Sequence, residues 1–241
     1  MGYDLQTSLI ISDQTGQPIA PVAQRLVTAD GSYATYQEQA LSVTVENHLD
    51  EVTHCIDELE QQDFTKPLVH IIDRESDSIA HIRHWEANHY LWLARAKKTS
   101  SIKFQNKSMG CAQVADALHF KKTRLVDYHG KPHWQRVAEA PIQITRAVKP
   151  SQKKPSIPSE PVVARLVVSR ILSDDGEILA EWLLMTNVVT VEASEIALWY
   201  YWRWQIEIDQ TYCLHKSVCK KLMHFISGLI YPDTLSHALL A

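Results

Sequence analysis

A short apolar run in the first third of the chain, Leu68-Val69-His70-Ile71-Ile72, ends on Asp73. Its β-branched and mostly apolar residues are typical of a strand that is buried on both faces. Apolar residues recur at helical spacing on either side of it, over 49–59 and again over 79–85. A buried strand between two amphipathic helices predicts an α/β fold.

The start of the chain adds further strands to this core. Two extended runs, residues 7–12 and 19–27, are joined by Asp13-Gln14-Thr15-Gly16, a turn composition, and so predict a β-hairpin. Residues 90–96 predict another strand. The order strand, strand, helix, strand, helix, strand is that of an α/β core.

The rest of the chain changes pattern twice. Alternating segments with turn residues from about 100 to 188 predict a β-rich insertion, and four prolines place a loop at 149–161. A long helix is predicted from Val191 to about Lys221. We therefore expect four segments, namely the first part of the core (1–98), the β-rich insertion (99–188), a core helix (189–221) and a divergent C-terminal tail (222–241).

Charge is distributed very unevenly along the chain. The formal net charge is -4, yet residues 93–154 hold fourteen Lys or Arg and three Asp or Glu, a net charge of +11. Arg95, Lys97 and Lys98 stand at the start of this basic segment. Such a segment favours nucleic acid as a partner. On charge alone, a solvated basic surface without a ligand is the better interpretation.

Composition excludes several other classes of protein. The longest apolar run, Ile196–Trp202, is far short of the roughly 18 residues that cross a bilayer, so we expect a cytosolic protein without a membrane span. The four cysteines are scattered and form no C-x-x-C pair, which predicts neither a disulfide framework nor a zinc site.

Two places carry candidate functional side chains. Asp73 follows the end of a buried strand, where side chains face the crevice used by many α/β proteins. In the last helix Tyr200, Arg203 and Glu207 fall on one stripe. The simpler alternatives are that an acid near Asp73 caps the next helix and that Arg203 and Glu207 form a solvated ion pair.

Three segments, taken in order, resemble landmarks of a known family. Val69–Asp77 is similar to a "DREAD" segment, Trp182-Leu183-Leu184-Met185-Thr186 to a Trp-Leu-Leu-x-Thr strand, and Tyr200-x-x-Arg203-x-x-x-Glu207 to a Y-R-E-K signature. These landmarks belong to the insertion-sequence family-four transposases, which are transposon-five-like. Tyr3–Leu9 also resembles a stretch seen in many members, and the likeness covers roughly residues 3 to 220.

The resemblance implies a ribonuclease-H-like fold that cleaves and transfers DNA strands. Its D-D-E carboxylates hold two Mg²⁺ ions, or Mn²⁺, and Asp73 and Glu207 match two of the three. Tyr200 and Arg203 match residues that bind transposon-end phosphate. Trp182 matches a residue that stacks on an unpaired base, although an ordinary core tryptophan is the alternative interpretation.

The chain also departs from the family pattern. No residue matches the first Asp, and neither Asp4 nor Asp13 is a good substitute, so we expect little or no catalysis from this chain alone. The signature Lys is expected seven residues after Glu207, where Leu214 stands. Lys216-Ser217 resembles the family's Lys-Ser pair, which makes Lys216 the candidate DNA contact, although in a regular helix it lies on the face opposite Glu207. Both ends are expected to be truncated relative to the family.

These observations lead to three functional hypotheses. The first is a transposase catalytic-domain fragment that binds double-stranded transposon-end DNA in the cytoplasm, associated with the nucleoid. The second is a non-catalytic remnant that binds DNA, or pairs with itself or a full-length transposase, and inhibits the latter. The third is a product that cannot fold, because without the central core strand the opening hairpin and residues 68–73 have no neighbour.

Overall fold

The computed structural model describes residues 4–28, 31–34, 48–73, 78–148, 160–215 and 224–231. Within them the chain has mixed α/β structure with many strands and few helices. The elements, in chain order, are β1 (Asp4–Ser12), β2 (Pro18–Thr28), β3 (Gly31–Ala34), α1 (His48–Glu60), β4 (Val69–Ile72), α2 (Ile79–Ala87), β5 (Leu91–Arg95), β6 (Ser101–Phe104), β7 (Lys107–Gly110), α3 (Cys111–Asp116), β8 (Lys121–Tyr128), β9 (Lys131–Ile144), β10 (Val162–Leu172), β11 (Ile178–Thr186), α4 (Ala193–His215) and β12 (His224–Tyr231).

These elements belong to two units. The first unit comprises Met1–Ile72 and Trp199–Ala241, and the second comprises Asp73–Leu198. In the first unit the strand order is β3-β2-β1-β12-β4. In the second it is β5-β11-β10-β9-β6-β7, with β8 also paired to β9.

The opening hairpin predicted from the sequence is confirmed, since β1 and β2 pair in antiparallel fashion. At the turn, the Ser12 hydroxyl accepts hydrogen bonds from the backbone N–H groups of Gln14 and Thr15, at 3.3 and 3.2 Å. Gly16 follows with a φ of +69°, a conformation that costs glycine nothing. The turn is therefore specified locally by its own residues.

Helix α1 confirms the predicted amphipathic helix and supplies part of the core of the first unit. Leu59 on α1 is buried together with Ile10 of β1, Ala23 of β2 and Leu68. Asp57 and Glu58, which lie between these apolar positions, are only partly buried. The helical period in the sequence therefore identified the packing face correctly.

Strand β12 is the largest difference from the sequence-based expectation, which placed a divergent tail at 222–241. It lies between β1 and β4, parallel to β1 with Thr7 opposite Ile226 and antiparallel to β4 with His70 opposite Leu229. Both strands thus gain a row of backbone hydrogen-bond partners. The hypothesis of an unfoldable product assumed that they have no neighbour, and β12 is that neighbour.

The second unit contains the β-rich insertion that the sequence predicted. Strands β9 and β10 pair over eleven positions, from Ile144 opposite Val162 to Trp134 opposite Leu172. Strand β11 continues the sheet and pairs with β5 through Met185 opposite Ala94. The short helix α3 was not predicted, because six residues are too few to show a helical period.

Helix α2 and strand β5, the latter part of this sheet, contribute large buried apolar side chains to the second unit. Ile82 and Trp85 of α2 and Trp92 of β5 have no exposed surface. The Trp92 indole N–H donates to the Glu86 carboxylate at 2.7 Å, which satisfies its polar atom inside the core. The predicted helix and strand are both confirmed.

Helix α4 begins at Ala193, close to the predicted start, and is described to His215. Lys221, the predicted end, lies outside the described residues. None of the described helices is both long enough and sufficiently apolar to span a membrane.

Candidate nucleic-acid and metal site

Asp73 follows directly after strand β4, all four residues of which are buried. Its carboxylate keeps 25% of its surface exposed and lies 3.5 Å from the guanidinium of Arg95, the last residue of β5. The structure therefore brings together two residues that the sequence nominated separately, one as a catalytic acid and the other as a DNA contact. Residues 74–77, which include the alternative helix-capping acids, lie outside the described residues.

Tyr200 and Arg203 share one buried face of α4. Their exposed surfaces are 1% and 3%, and the Arg203 guanidinium carbon lies 5.6 Å from the centre of the Tyr200 ring. A buried arginine does not fit the alternative of a solvated ion pair on an exposed helix face. It is also not accessible to a DNA phosphate in this conformation.

Glu207 is described only in its backbone, which continues α4 beyond Arg203. Lys216 lies outside the described residues. Asp73 belongs to the second unit and Glu207 to the first.

Trp182 lies on β11 with 3% of its surface exposed, opposite Ser169 of β10. The strand that contains it is buried from Trp182 to Thr186. Thr186 ends this run with a hydroxyl that donates to the backbone oxygen of Trp92 at 2.6 Å. Burial explains the apolar residues of this segment, and the Thr186 hydroxyl joins β11 to β5. In this arrangement the Trp182 indole is packed in the core.

Lys97 and Lys98 follow β5 in an exposed turn. The Lys98 ammonium lies 3.5 Å from the carboxylate of Glu181 and keeps 73% of its side chain exposed. A pair this exposed is weak, since water and salt screen it. Both lysines are therefore accessible to a polyanion, whereas Arg95 is engaged with Asp73.

The donor set for a divalent cation is incomplete among the described residues. None of their His, Cys, Asp and Glu side chains gather in a group of three that could hold a metal ion. Asp73 offers the oxygen ligands that Mg²⁺ prefers, but Arg95 places a positive charge beside it. The described residues by themselves do not fit a two-ion centre.

Asp13 lies in the turn between β1 and β2 and is partly buried there. Burial raises its pKa above the ordinary 3.8, against the opposing effects of backbone N–H groups and of Lys66. A raised pKa means that burial disfavours the ionised carboxylate, which is the form that binds cations. Asp13 is therefore a poor replacement for a missing catalytic Asp.

Cys55 on α1 contacts the opening strand through its thiol. Its Sγ lies 3.3 Å from the hydroxyl oxygen of Ser8 on β1. Burial raises the pKa of this thiol, with only partial compensation from the Ser8 hydrogen bond. The thiol therefore stays protonated and serves as a packing group rather than a nucleophile.

One contact that sequence reasoning missed positions α4 in the first unit. The indole of Trp202 lies so close to Gly16 that a Cβ atom at this glycine would overlap the ring. The two residues are distant in sequence, so no local pattern could reveal their contact. The glycine in the turn was the only sequence signal.

Comparison with protein-family models and with curated proteins finds no match to this chain.

Proposed function

We propose that this chain is a DNA-binding protein of the transposase catalytic-domain type found in insertion-sequence family four, with a ribonuclease-H-like core. The observation that carries the proposal is Asp73, which stands at the end of a fully buried strand with 25% of its side chain exposed. That is the position in which an α/β protein presents a functional acid. The three sequence landmarks, in family order, support the same proposal.

The order of elements also supports the proposal. An antiparallel meander of β1, β2 and β3 precedes α1, and β4 and α2 follow. The strand-rich stretch from β6 to β11 separates Asp73 from α4, where the family carries its insertion. Strand β12 takes a place in the sheet that the resemblance did not predict.

DNA binding is the activity that the chain itself supports best. Lys97 and Lys98 are exposed at the start of the basic segment 93–154. A duplex carries one negative charge per about 1.7 Å of axis, so such a segment gains affinity by releasing counterions. We propose double-stranded transposon-end DNA as the partner and the nucleoid as the location.

Cleavage is the activity that the chain supports least. In the family, Mg²⁺ or Mn²⁺ stabilises the attacking and leaving oxygens. We propose that Asp73 holds such an ion only weakly here, because Arg95 competes for its carboxylate. Arg95 instead keeps Asp73 neutralised.

This pairing favours a second candidate function, a non-catalytic protein that binds transposon ends or pairs with a full-length transposase and inhibits it. Both candidates need DNA binding or subunit pairing, and they differ in catalysis. An inhibitor retains the fold and the basic surface without an active metal centre. The Asp73 and Arg95 ion pair is compatible with that role.

A pair of assays tests the proposal. Gel-shift titration of the full chain with transposon-end duplex should give binding that weakens as salt rises, and the K97A/K98A double variant should flatten the dependence of log K on log salt by roughly 1.8 units. Absent or salt-insensitive binding refutes the DNA proposal. Plasmid incubation with Mg²⁺ or Mn²⁺ should give no cleavage, and turnover that Asp73→Ala abolishes would show that two matched carboxylates suffice.

A further inference from the structure

One aromatic side chain of the second unit is exposed without an obvious structural reason. All seven tryptophans lie within the described residues, and Trp134 is the only one of them that is exposed, at 37%. Leu125, its partner across β8 and β9, is 55% exposed. Exposed apolar groups that lie next to one another mark a binding surface more often than isolated ones do.

The strand register places basic side chains beside this tryptophan. Lys122 of β8 lies opposite Arg136 of β9, and Arg136 lies opposite Arg170 of β10. Directly paired residues share a face of a sheet, and Arg136 is on the same face as Trp134 because they are two positions apart. Lys122, Leu125, Trp134 and Arg136 thus form one exposed surface, which we call the Trp134 surface.

The basic side chains on this face of the sheet differ in whether they form ion pairs. Arg170 is committed to the protein, since it donates to Glu181 at 2.7 Å and to Asp116 at 3.1 Å. Lys122 and Arg136 have no ion pair with any described carboxylate. The ammonium of Lys122 instead lies 3.4 Å from the centre of the Trp134 ring. Lys122 and Arg136 therefore place two positive charges beside the exposed Trp134 ring.

An acid on the same face does not cancel this charge. Asp127 lies opposite Pro132 near the end of the hairpin, and its carboxylate accepts the backbone N–H of Gly130 at 2.9 Å. That bond holds the acid at the turn. The Trp134 surface therefore combines the basic side chains of Lys122 and Arg136 with the apolar side chains of Leu125 and Trp134.

We propose that the Trp134 surface binds single-stranded nucleic acid, with a base stacked on Trp134 and the flanking phosphates on Lys122 and Arg136. Stacking of a base on an aromatic ring is generally stronger than an exposed cation–π contact, so a base can displace the Lys122 ammonium from the ring toward a phosphate. A duplex leaves the platform unused, because its bases are already stacked. The inference rests on the proposed DNA-binding function and adds to it a strand-specific contact.

The test measures binding of the full chain to a labelled oligothymidine and to a duplex of equal length, by fluorescence anisotropy at low salt. Trp134→Ala should weaken oligothymidine binding by roughly 5- to 150-fold, the loss expected for one stacked base, and change duplex binding less than twofold. Trp134→Phe should retain most of the affinity, since a phenyl ring still stacks. For single-strand binding, the K122A/R136A double variant should make the slope of log K against log salt shallower by roughly 1.4.

Lys107→Ala is the matched control for charge, because Lys107 is exposed on β7, away from the Trp134 surface. A cooperative thermal melt of each variant excludes unfolding as the cause. If Trp134→Ala binds oligothymidine like the wild type, or if duplex or polyglutamate competes equally well, the inference is wrong. Failure of the proposed function has a different signature, namely no salt-sensitive binding of transposon-end duplex by the wild-type chain.

Discussion

The guanidinium of Arg95 lies beside the carboxylate of Asp73, with 3.5 Å between Nη1 and Oδ1. The two side chains are 26% and 25% exposed, so the pair lies at the edge of the solvent. Asp73 is the best candidate for a metal-binding acid among the described residues, and it is paired with a cation. This pairing links the sequence resemblance to the expected lack of catalysis.

Removing Arg95 should therefore make Asp73 more available to a metal ion. An exposed ion pair contributes about 0.2–1 kcal/mol, so Arg95→Gln should tighten Mn²⁺ binding by roughly 1.4- to 5-fold. Titration of the full chain with Mn²⁺, followed by the paramagnetic signal of free ion, measures this. Arg136→Gln removes the same charge elsewhere and should not change the affinity. The account fails if the double variant R95Q/D73N keeps the gain.

Trp182 tests whether a family landmark acts here through packing. With 3% of its surface exposed, it should behave as a core residue. Trp182→Phe should lower the free energy of unfolding by about 1–3 kcal/mol, as volume is lost from a packed site. Urea unfolding measures this loss, and duplex affinity should stay within twofold of the wild type. A variant of unchanged stability that binds duplex much more weakly would instead support base stacking.

Gly16 should tolerate no side chain, for two reasons that can be separated. Its φ is +69°, and a Cβ would overlap the Trp202 indole. Gly130 has a φ of +78° with nothing within 4 Å of a Cβ, so Gly130→Ala measures the backbone cost alone, about 1 kcal/mol. Gly16→Ala should cost about 1–3 kcal/mol more in urea unfolding, because the indole must move. Equal losses in the two variants would mean that the contact with Trp202 contributes nothing.

Asp13 predicts a specific pH dependence of stability. Burial raises its pKa above 3.8 in the folded state, so its contribution to stability is present below pH 3.8 and is lost as the pH rises through the folded value. Asp13→Asn removes this ionisation and should raise the melting temperature at pH 7, with no gain at pH 3. Asp63→Asn, at an exposed site, is the matched control. A gain of equal size at both pH values would contradict burial as the cause.

Much of the local structure was predictable because its cause is local. The hairpin follows from two extended runs joined by the turn 13–16, and α1 and α2 follow from apolar residues at helical spacing. The β-rich character of 100–188 was also predictable from alternation and turns. Helix α3 was too short to show a helical period in the sequence. The sequence of β12 contains no feature from which its pairing with β1 and β4 could be predicted.

The candidate site was predictable by residue but not by environment. Asp73, Tyr200 and Arg203 were identified from position and spacing. That Arg95 pairs with Asp73, and that Tyr200 and Arg203 are buried, could not be derived, because both depend on contacts between distant segments. The Trp134 surface was missed for the same reason, since Lys122 and Arg136 become neighbours only through strand pairing.

The sequence by itself determined the periods, the turns, the concentration of positive charge in 93–154 and the order of its candidate functional residues. These are properties of neighbouring residues, and backbone sterics and side-chain alternation act over that range. The tertiary structure alone decided that β12 lies between β1 and β4 and that Trp202 covers Gly16. It also decided which Lys and Arg side chains form ion pairs with a carboxylate and which remain exposed, because strand pairing and burial bring together residues that are distant in sequence.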